Sequence, residues 1–355
     1  MSWEENVRKV TPYVPGEQPK VTGNLIKLNT NEFPYPPSPR VLEKLKEINY
    51  EELRLYPAPD VGPLRDAIAK KYNLSSEEVF VGDGSDDVIS MAFLTFFYSD
   101  KPVIFPDITY SFYDVWCDVY RIPFCIKPLD ADFRMRKSDY LCENGGIVIA
   151  NPNAPTGVSE MDDLDFIEDI VKANPDSVVV VDEAYVDFGG VSALPLIKKY
   201  DNILVVQTFS KSRAFAGMRI GYAFGCPKLI KYMNDVKYSV NSYTINRPAI
   251  ELGIAALSDD EYFESTVKKL ISTREWTKKQ LAERGFEFPD SKTNFVFAKP
   301  GKVTAKELFE ELKKRNIFVR WWNKDRISEY LRISIGTDEE MKALMKAIDE
   351  IQGVC

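Results

Sequence analysis

The stretch Ile203-Leu-Val-Val-Gln-Thr-Phe-Ser-Lys-Ser-Arg-Ala-Phe-Ala-Gly-Met-Arg-Ile-Gly-Tyr222 begins with an apolar run and places a lysine shortly after it. The run from Ile203 to Gln207 favours a buried strand of a parallel sheet, because such strands are covered on both faces. Lys211 then lies just beyond the carboxyl end of the strand, where open α/β sheets bind their ligands. The stretch therefore predicts an α/β protein with Lys211 at a ligand-binding edge.

Arg219 follows Lys211 within the same segment. The arrangement suits a lysine that bonds covalently to an aldehyde while an arginine holds the phosphate of that aldehyde. A lysine amine is a useful nucleophile only when it is partly deprotonated, and burial beside a second cation such as Arg219 promotes this. Taken alone, the motif is equally compatible with a solvated surface lysine.

The charge balance and the residue inventory exclude several classes of function. The chain has 355 residues, and 46 basic against 54 acidic side chains give a net charge of -8, which argues against general binding to nucleic acid or to anionic membranes. The chain contains no histidine, so histidine-based triads and histidine-ligated metals are excluded, and we predict no metal site. Proton transfer near neutral pH then requires a shifted lysine, carboxylate or tyrosine, or a cofactor.

The apolar stretches of the chain are short, and the run from Met91 to Phe97 is typical of the longest ones. Such runs are too short for a spanning helix, and the first residues lack the basic and then apolar pattern of a signal peptide. We therefore predict a cytoplasmic protein.

The order of predicted elements defines the fold class and the domains. From Val79 to Phe224, strands alternate with helices, which predicts a doubly wound, mostly parallel sheet in a large domain. A helical stretch from about Pro248 to Arg284 leads to a tail of strands and helices, which predicts a smaller α+β domain. We place an N-terminal arm at residues 1–28, the large domain at 29–247 and the small domain at 248–355, and we expect the arm to pack with the small domain and a partner subunit.

Four further features lie at or after the ends of predicted strands. In Gly82-Asp-Gly-Ser-Asp-Asp87, the glycines permit close approach and the amides of Ser85 and Asp86 point toward a phosphate at a helix start, although an ordinary strand-to-helix turn has the same composition. Asp182 ends an apolar strand and could face a buried cationic ring nitrogen, although turns also favour aspartate. Tyr110 could stack on an aromatic ring or lie in the core. The loop Ala150 to Gly157 is rich in rigid turn residues and amide side chains, which suits a loop that holds a polar group.

Together these motifs resemble the pyridoxal-phosphate-dependent aminotransferases of fold type I, class I/II. Within that family, the enzymes that act on histidinol phosphate are the most similar. The matching segments are Val10-Thr-Pro-Tyr-Val-Pro-Gly16, Leu28-Asn-Thr-Asn-Glu32, Tyr56-Pro57, Gly84-Ser-Asp86, Asn153-Ala-Pro-Thr-Gly157, Asp182-Glu-Ala-Tyr185, Ser210-Lys211, Arg219 and Leu331-Arg-Ile-Ser-Ile-Gly-Thr337.

The resemblance implies pyridoxal 5'-phosphate as cofactor and a role for each matched residue. Lys211 would bond to the cofactor, Asp182 would pair with its ring nitrogen, Tyr185 and an asparagine would contact its phenolic oxygen, and Tyr110 would lie against its face. Its phosphate would be held by Gly84, Ser85, Asp86, Thr208, Ser210 and Arg219, with Tyr56 reaching it from a second subunit. At the position where relatives commonly carry the asparagine that contacts the ring oxygen, this chain has Ala154. Asn153 would then make that contact instead.

The resemblance also implies a substrate. Arg332, Arg320 and Tyr13 match positions that bind the anionic end of the substrate, and two arginines on one anion favour a dianionic group. For Arg320, a surface residue beside a strand is the alternative. The implied reaction transfers an amino group between L-histidinol phosphate and 2-oxoglutarate, giving imidazole-acetol phosphate and glutamate, in L-histidine biosynthesis.

Other functions stay open at this point. A threonine-phosphate decarboxylase of cobalamin synthesis, an aromatic amino-acid aminotransferase and a cofactor-binding regulatory protein without catalysis are the alternatives. The expected partners are small-molecule substrates and a second copy of the chain, in a homodimer with shared active sites.

Overall fold

The structure is a computed structural model that describes residues 2–20 and 25–353. In chain order its strands are β1 (Ile26–Lys27), β2 (Val79–Gly82), β3 (Val103–Pro106), β4 (Phe124–Lys127), β5 (Gly146–Ala150), β6 (Val179–Asp182), β7 (Ile203–Thr208), β8 (Gly221–Phe224), β9 (Phe295–Ala298), β10 (Ile317–Phe318), β11 (Arg320–Trp321) and β12 (Leu331–Ser334). Its α-helices are α1 (Pro39–Glu47), α2 (Gly62–Lys71), α3 (Gly84–Phe96), α4 (Tyr113–Tyr120), α5 (Asp165–Ala173), α6 (Pro227–Val240), α7 (Arg247–Leu257), α8 (Asp260–Glu283), α9 (Ala305–Lys314) and α10 (Asp338–Ile351).

The largest sheet has seven strands in the order β2-β8-β7-β6-β5-β3-β4. Strand β8 is antiparallel to both of its neighbours, and the other strands share one direction. Strands β5, β6 and β7 are buried along their whole length, because helices cover both faces of a sheet of this kind. Their carboxyl ends therefore meet at one edge, and the functional side chains follow them there.

A second unit contains the antiparallel sheet β11-β12-β9 and the short parallel pair β1-β10. Its apolar core joins these strands to helices α8, α9 and α10, and it includes Leu28 from the amino-terminal part of the chain. The buried side chains of α7 instead belong to the core of the large sheet, where α7 packs against α1 and α2.

These observations confirm the predicted α/β fold with a mostly parallel sheet and a smaller α+β part. The domain limits at residues 28 and 247 stay a proposal. The predicted arm and small domain also contain residues 1, 21–24 and 354–355, which lie outside the described residues. Within the described ranges, none of the helices is both long enough and apolar enough to cross a membrane.

Three elements differ from the prediction. Helix α6 was not predicted, since its sequence mixes lysine and aspartate with the apolar residues that it buries. The helical stretch predicted after Pro248 is two helices, because the Asp259 side chain accepts a hydrogen bond from the Tyr262 amide and starts α8 anew. Between β3 and β4 the sequence pattern predicts a helix from Tyr110 to Val119, but the helix begins at Tyr113, which leaves Tyr110 in the loop that lines the cleft.

Candidate active site

A cleft of about 480 Å³ lies where the carboxyl ends of the parallel strands face the second sheet. The large sheet contributes residues that follow β3, β5, β6 and β7, and the second unit and the amino-terminal segment supply the opposite wall. The residues that carry the argument below are Tyr13, Asn31, Tyr110, Tyr185, Lys211, Arg320, Trp322 and Arg332. The cleft therefore brings together residues from both ends of the chain.

Lys211 and Tyr185 form the floor of this cleft. The Lys211 ammonium nitrogen lies 5.7 Å from the centroid of the Tyr185 ring. The Tyr185 hydroxyl accepts a hydrogen bond of 2.9 Å from the Asn31 side-chain amide. Asn31 has a left-handed backbone conformation, with φ of 56°. Its backbone amide donates to the Ser334 hydroxyl in β12, and that hydroxyl donates to the Asn31 side-chain oxygen. Asn31 is thus a site residue that the sequence analysis did not single out, and it ties Tyr185 to the second sheet.

Asp182 is buried at the end of β6, and two groups of the protein donate hydrogen bonds to its carboxylate. The Tyr113 hydroxyl donates to one carboxylate oxygen at 2.8 Å, and the Ala184 amide donates to the other at 3.2 Å. Burial raises the pKa of Asp182 to about 6, although both hydrogen bonds and the charge of Lys211 oppose the shift. Tyr113 was not predicted as a site residue, since nothing in its sequence context marks a contact with Asp182.

The start of α3 forms a second polar pocket around Arg219. The Arg219 guanidinium lies 3.4 Å from the Asp86 carboxylate and 3.4 Å from the Ser210 hydroxyl. Gly84 has φ of +85°, and a Cβ built there would lie 2.3 Å from the Arg219 guanidinium, so only glycine fits beside the arginine. The amides of the first helical turn have no acceptor within the helix. Donors and a cation therefore converge on one point, which suits an anion.

Tyr110 and Thr208 stabilise the surroundings of that pocket. The Tyr110 hydroxyl donates to Asp86 at 2.7 Å, and burial together with the Asp86 charge raises the pKa of Tyr110 well above its ordinary value. The Thr208 hydroxyl accepts from the Ser210 amide at 3.0 Å, which holds the turn that precedes Lys211. Because Tyr110 lines the cleft, its bond to Asp86 connects the Arg219 pocket to the cleft.

Asn153 is buried, and its amide is already used by the protein. Its two amide hydrogens are donated to the Ile108 carbonyl at 2.9 Å and the Thr156 hydroxyl at 3.0 Å, and its oxygen accepts from Thr109. A cofactor contact by Asn153 stays a prediction, and these hydrogen bonds argue against it. The side chain of Asn31 is the amide that meets Tyr185.

The predicted anion-binding residues lie on the opposite wall of the cleft. The Arg332 side chain is buried and donates to the Asn29 carbonyl at 3.0 Å, while its Nε has no partner among the described residues. Burial lowers the pKa of the Arg332 guanidinium. Arg320 reaches the carbonyls of Val14 and Pro15, which places Tyr13 of the same segment at the cleft. Two cations thus face the space beside Lys211.

Tyr56 does not line this cleft. Its side chain is 78% exposed and stacks on Tyr243, with ring centroids 4.6 Å apart. Within a single chain, Tyr56 is therefore separate from the other predicted site residues.

Glu183, the residue after Asp182, points away from the cleft into the core. Its carboxylate accepts hydrogen bonds from the Ser192 hydroxyl, the Ala193 amide and the Gln207 side chain at 2.7, 2.6 and 2.8 Å. Burial raises its pKa from 4.5 to about 7 in spite of these donors. Glu183 therefore fixes the loop that carries Tyr185 without contributing to the cleft.

A raised carboxyl pKa predicts stability that declines with pH. The contribution of Glu183 is fully present below about pH 4.5 and is lost as the pH rises through about 7, a change on the order of 3 kcal/mol in the free energy of unfolding. Urea unfolding of the ligand-free protein should show this decline between about pH 4.5 and 7, and the variant Glu183→Gln should show a smaller decline, since only the contribution of Asp182 remains. An equal decline in both proteins would contradict the assignment.

The fold is shared by solved enzymes of more than one activity. A solved histidinol-phosphate aminotransferase from Sinorhizobium meliloti in complex with pyridoxal-5'-phosphate superposes with a TM-score of 0.84 at 24% identity, over 93% of this chain and 91% of that one. The L-threonine-O-3-phosphate decarboxylase of Porphyromonas gingivalis gives 0.76 at 22% identity, over 93% and 100% of the two chains. At these identities the likeness shows the fold alone.

The sequence carries the assignment further. The profile described as "Aminotransferase class I and II" matches residues 23–348, and the chain belongs to that family. A histidinol-phosphate aminotransferase of Lactococcus lactis subsp. cremoris (strain MG1363) is 51% identical over 350 residues, which cover 99% of this chain and 98% of that relative. Histidinol-phosphate aminotransferase 1 of Hydrogenovibrio crunogenus is also 51% identical, over 98% and 97% of the two chains.

Proposed function

We propose that the chain catalyses pyridoxal-phosphate-dependent transfer of an amino group between L-histidinol phosphate and 2-oxoglutarate, in histidine biosynthesis. Full-length similarity to relatives of that name supports the assignment. The observation that carries the proposal is the pair Arg320 and Arg332, which faces Lys211 across one cleft. A substrate with an amine at one end and a phosphate at the other fits this cleft, because the arginines and Lys211 lie on opposite sides of it.

The residues of the cleft fit the cofactor. The polar pocket of Gly84, Asp86, Ser210 and Arg219 would hold its phosphate, Asp182 its ring nitrogen, and Tyr185 its phenolic oxygen. When bound, pyridoxal phosphate supplies an aldehyde that bonds to amines and a ring that accepts electrons from the carbon beside the nitrogen. The Asp182 carboxylate keeps its charge best when a cation lies beside it, and Tyr113 and Ala184 orient its oxygens.

Lys211 is the group that moves the proton. Its nitrogen lies in the cleft beside the Tyr185 ring, and with the cofactor bound its neutral amine would accept a proton from the substrate carbon and return it at the cofactor carbon. Asn31 bonds both to the Tyr185 hydroxyl and to Ser334 in β12, so it fixes the position of Tyr185 relative to β12. Orientation and charge are the contribution of the protein.

A direct assay separates the proposed reaction from its alternatives. Purified protein with pyridoxal phosphate is given L-histidinol phosphate, threonine phosphate or phenylalanine, with 2-oxoglutarate as acceptor, and glutamate and carbon dioxide are measured. We expect glutamate formation with histidinol phosphate at a kcat/KM at least about a hundredfold above that with phenylalanine, since the arginine pair is left unmatched by a substrate without a phosphate. Carbon dioxide from threonine phosphate would instead identify a lyase, and no reaction with any amine would favour a protein that only binds the cofactor.

The assembly proposed with this function is a cytoplasmic homodimer in which Tyr56 reaches the cofactor phosphate of the partner subunit. The exposed ring of Tyr56, and the exposed Tyr50, Leu53 and Leu55 near it in the chain, support a covered surface at this place. Sedimentation should give a dimer. A fully active monomer would contradict the shared site.

A further inference from the structure

Arg320 and Arg332 are direct cross-strand partners in the antiparallel pair β11-β12. Side chains alternate between the two faces of a strand, so the side chain two residues after Arg320 points the same way as Arg320. That residue is Trp322, which lines the cleft. Trp321 lies between them and packs into the core of the second unit, with its indole nitrogen donating to the Ser328 carbonyl at 2.8 Å.

Trp322 is in contact with both cations. The centre of its ring lies 5.2 Å from the guanidinium carbon of Arg320 and 5.2 Å from that of Arg332. Like charges on directly opposed strand positions repel each other, and among the described residues no carboxylate makes a salt bridge with either arginine. The indole face attracts both guanidinium groups and so offsets part of that repulsion.

This form of stabilisation occupies none of the hydrogen-bond donors of the arginines, although one terminal nitrogen of Arg332 donates to the Asn29 carbonyl at 3.0 Å. The Nε of Arg332 has no partner among the described residues, and Arg320 makes only long contacts of 3.4 and 3.5 Å with two carbonyls. A carboxylate in place of Trp322 would neutralise the pair and occupy its donors. An aliphatic side chain would allow the two guanidinium groups to separate.

We propose that Trp322 is a specificity-determining residue, which holds Arg320 and Arg332 side by side so that the cleft selects dianionic, phosphorylated substrates over monoanionic ones. The inference rests on the proposed function for its substrate. Trp322 acts through the arginines and has no part in the proton transfer.

The kinetic test compares Trp322→Leu with Trp321→Leu, a matched change of the neighbouring tryptophan on the opposite face. We expect Trp322→Leu to lower kcat/KM for histidinol phosphate about tenfold through KM, with kcat little changed, because two cation–π contacts are lost. Activity with phenylalanine should change by less than about twofold, and Trp322→Phe should recover most of the loss. An equal loss with both substrates, no loss, or the same selectivity change in Trp321→Leu would overturn the proposal.

A binding measurement separates this inference from the proposed reaction. Calorimetric titration of the holoenzyme with glycerol 3-phosphate and with lactate compares a dianion with a monoanion near pH 8, and neither ligand carries an amine. The wild-type protein should prefer the dianion, and Trp322→Leu should reduce that preference about tenfold. If the enzyme does not use histidinol phosphate but this preference depends on Trp322, the proposed substrate is wrong and the selectivity role stands. If the substrate is correct and the preference does not depend on Trp322, the role of Trp322 is wrong.

Discussion

Replacement of Lys211 by alanine should abolish transamination, lowering kcat by at least about 10⁴-fold, because one side chain provides both the covalent attachment and the proton carrier. No other amine in the described residues is placed against Tyr185 in the way that the Lys211 nitrogen is, at 5.7 Å from the ring. The measurement is glutamate formation from histidinol phosphate and 2-oxoglutarate at saturating substrate. The matched control is Lys268→Ala, since Lys268 lies on the exposed face of α8 and pairs only with Glu264. It should retain full activity.

Chemical labelling tests the same assignment without reference to turnover. Borohydride reduction of the wild-type protein with bound pyridoxal phosphate, followed by peptide mapping, should place the label on Lys211. Lys324 is another lysine that lines the cleft, so it is the informative alternative. A label on Lys324, or none at all, would falsify the central assignment.

Asp182→Asn should lower kcat by about 10³-fold, because an amide cannot carry the negative charge that pairs with a protonated ring nitrogen. The hydroxyl of Tyr113 would still donate to the remaining oxygen, so the loss is one of charge more than of position. Glu183→Gln is the matched control, since Glu183 is the adjacent buried carboxylate and faces Ser192 and Gln207 instead of the cleft. It should retain activity within about tenfold of wild type.

The pH dependence of cofactor binding gives a second readout for Asp182. The pKa of its carboxyl is raised to about 6 in the ligand-free protein, so it is charged above pH 6 and neutral below. A cationic ring nitrogen binds the charged form better, so the affinity for pyridoxal phosphate should fall as the pH drops below about 6. Asp182→Asn should not show that fall. Identical pH profiles for the two proteins would contradict the pairing.

The strand-end residues were predictable because each follows a strong local pattern. Asp182 ends one buried, β-branched strand and Lys211 follows the end of another by three positions, and parallel strands bring their carboxyl ends to one edge. Arg219 and Gly84 could be placed by motif, and their contact across the start of α3 agrees with the predicted pocket. The fold class followed from the same alternation of strands and helices.

The partners of those residues could not be predicted, since each contact depends on distant parts of the chain. Asn31 and Tyr185 are 154 positions apart, and Tyr113 and Asp182 are 69 positions apart. The hydrogen bonds of the Asn153 amide to Ile108 and Thr156 were equally hidden, although they bear on the predicted contact between Asn153 and the cofactor ring oxygen.

By itself, the sequence determined the class of fold and the positions of Asp182 and Lys211 at the ends of strands, because strand propensity and turn chemistry act over a few residues. Tertiary structure alone decided that Tyr113 donates to Asp182, that Asn31 holds Tyr185, and that one tryptophan ring lies against two arginines. Each of these contacts joins different segments of the chain, so it depends on how whole elements pack, which no local sequence pattern records.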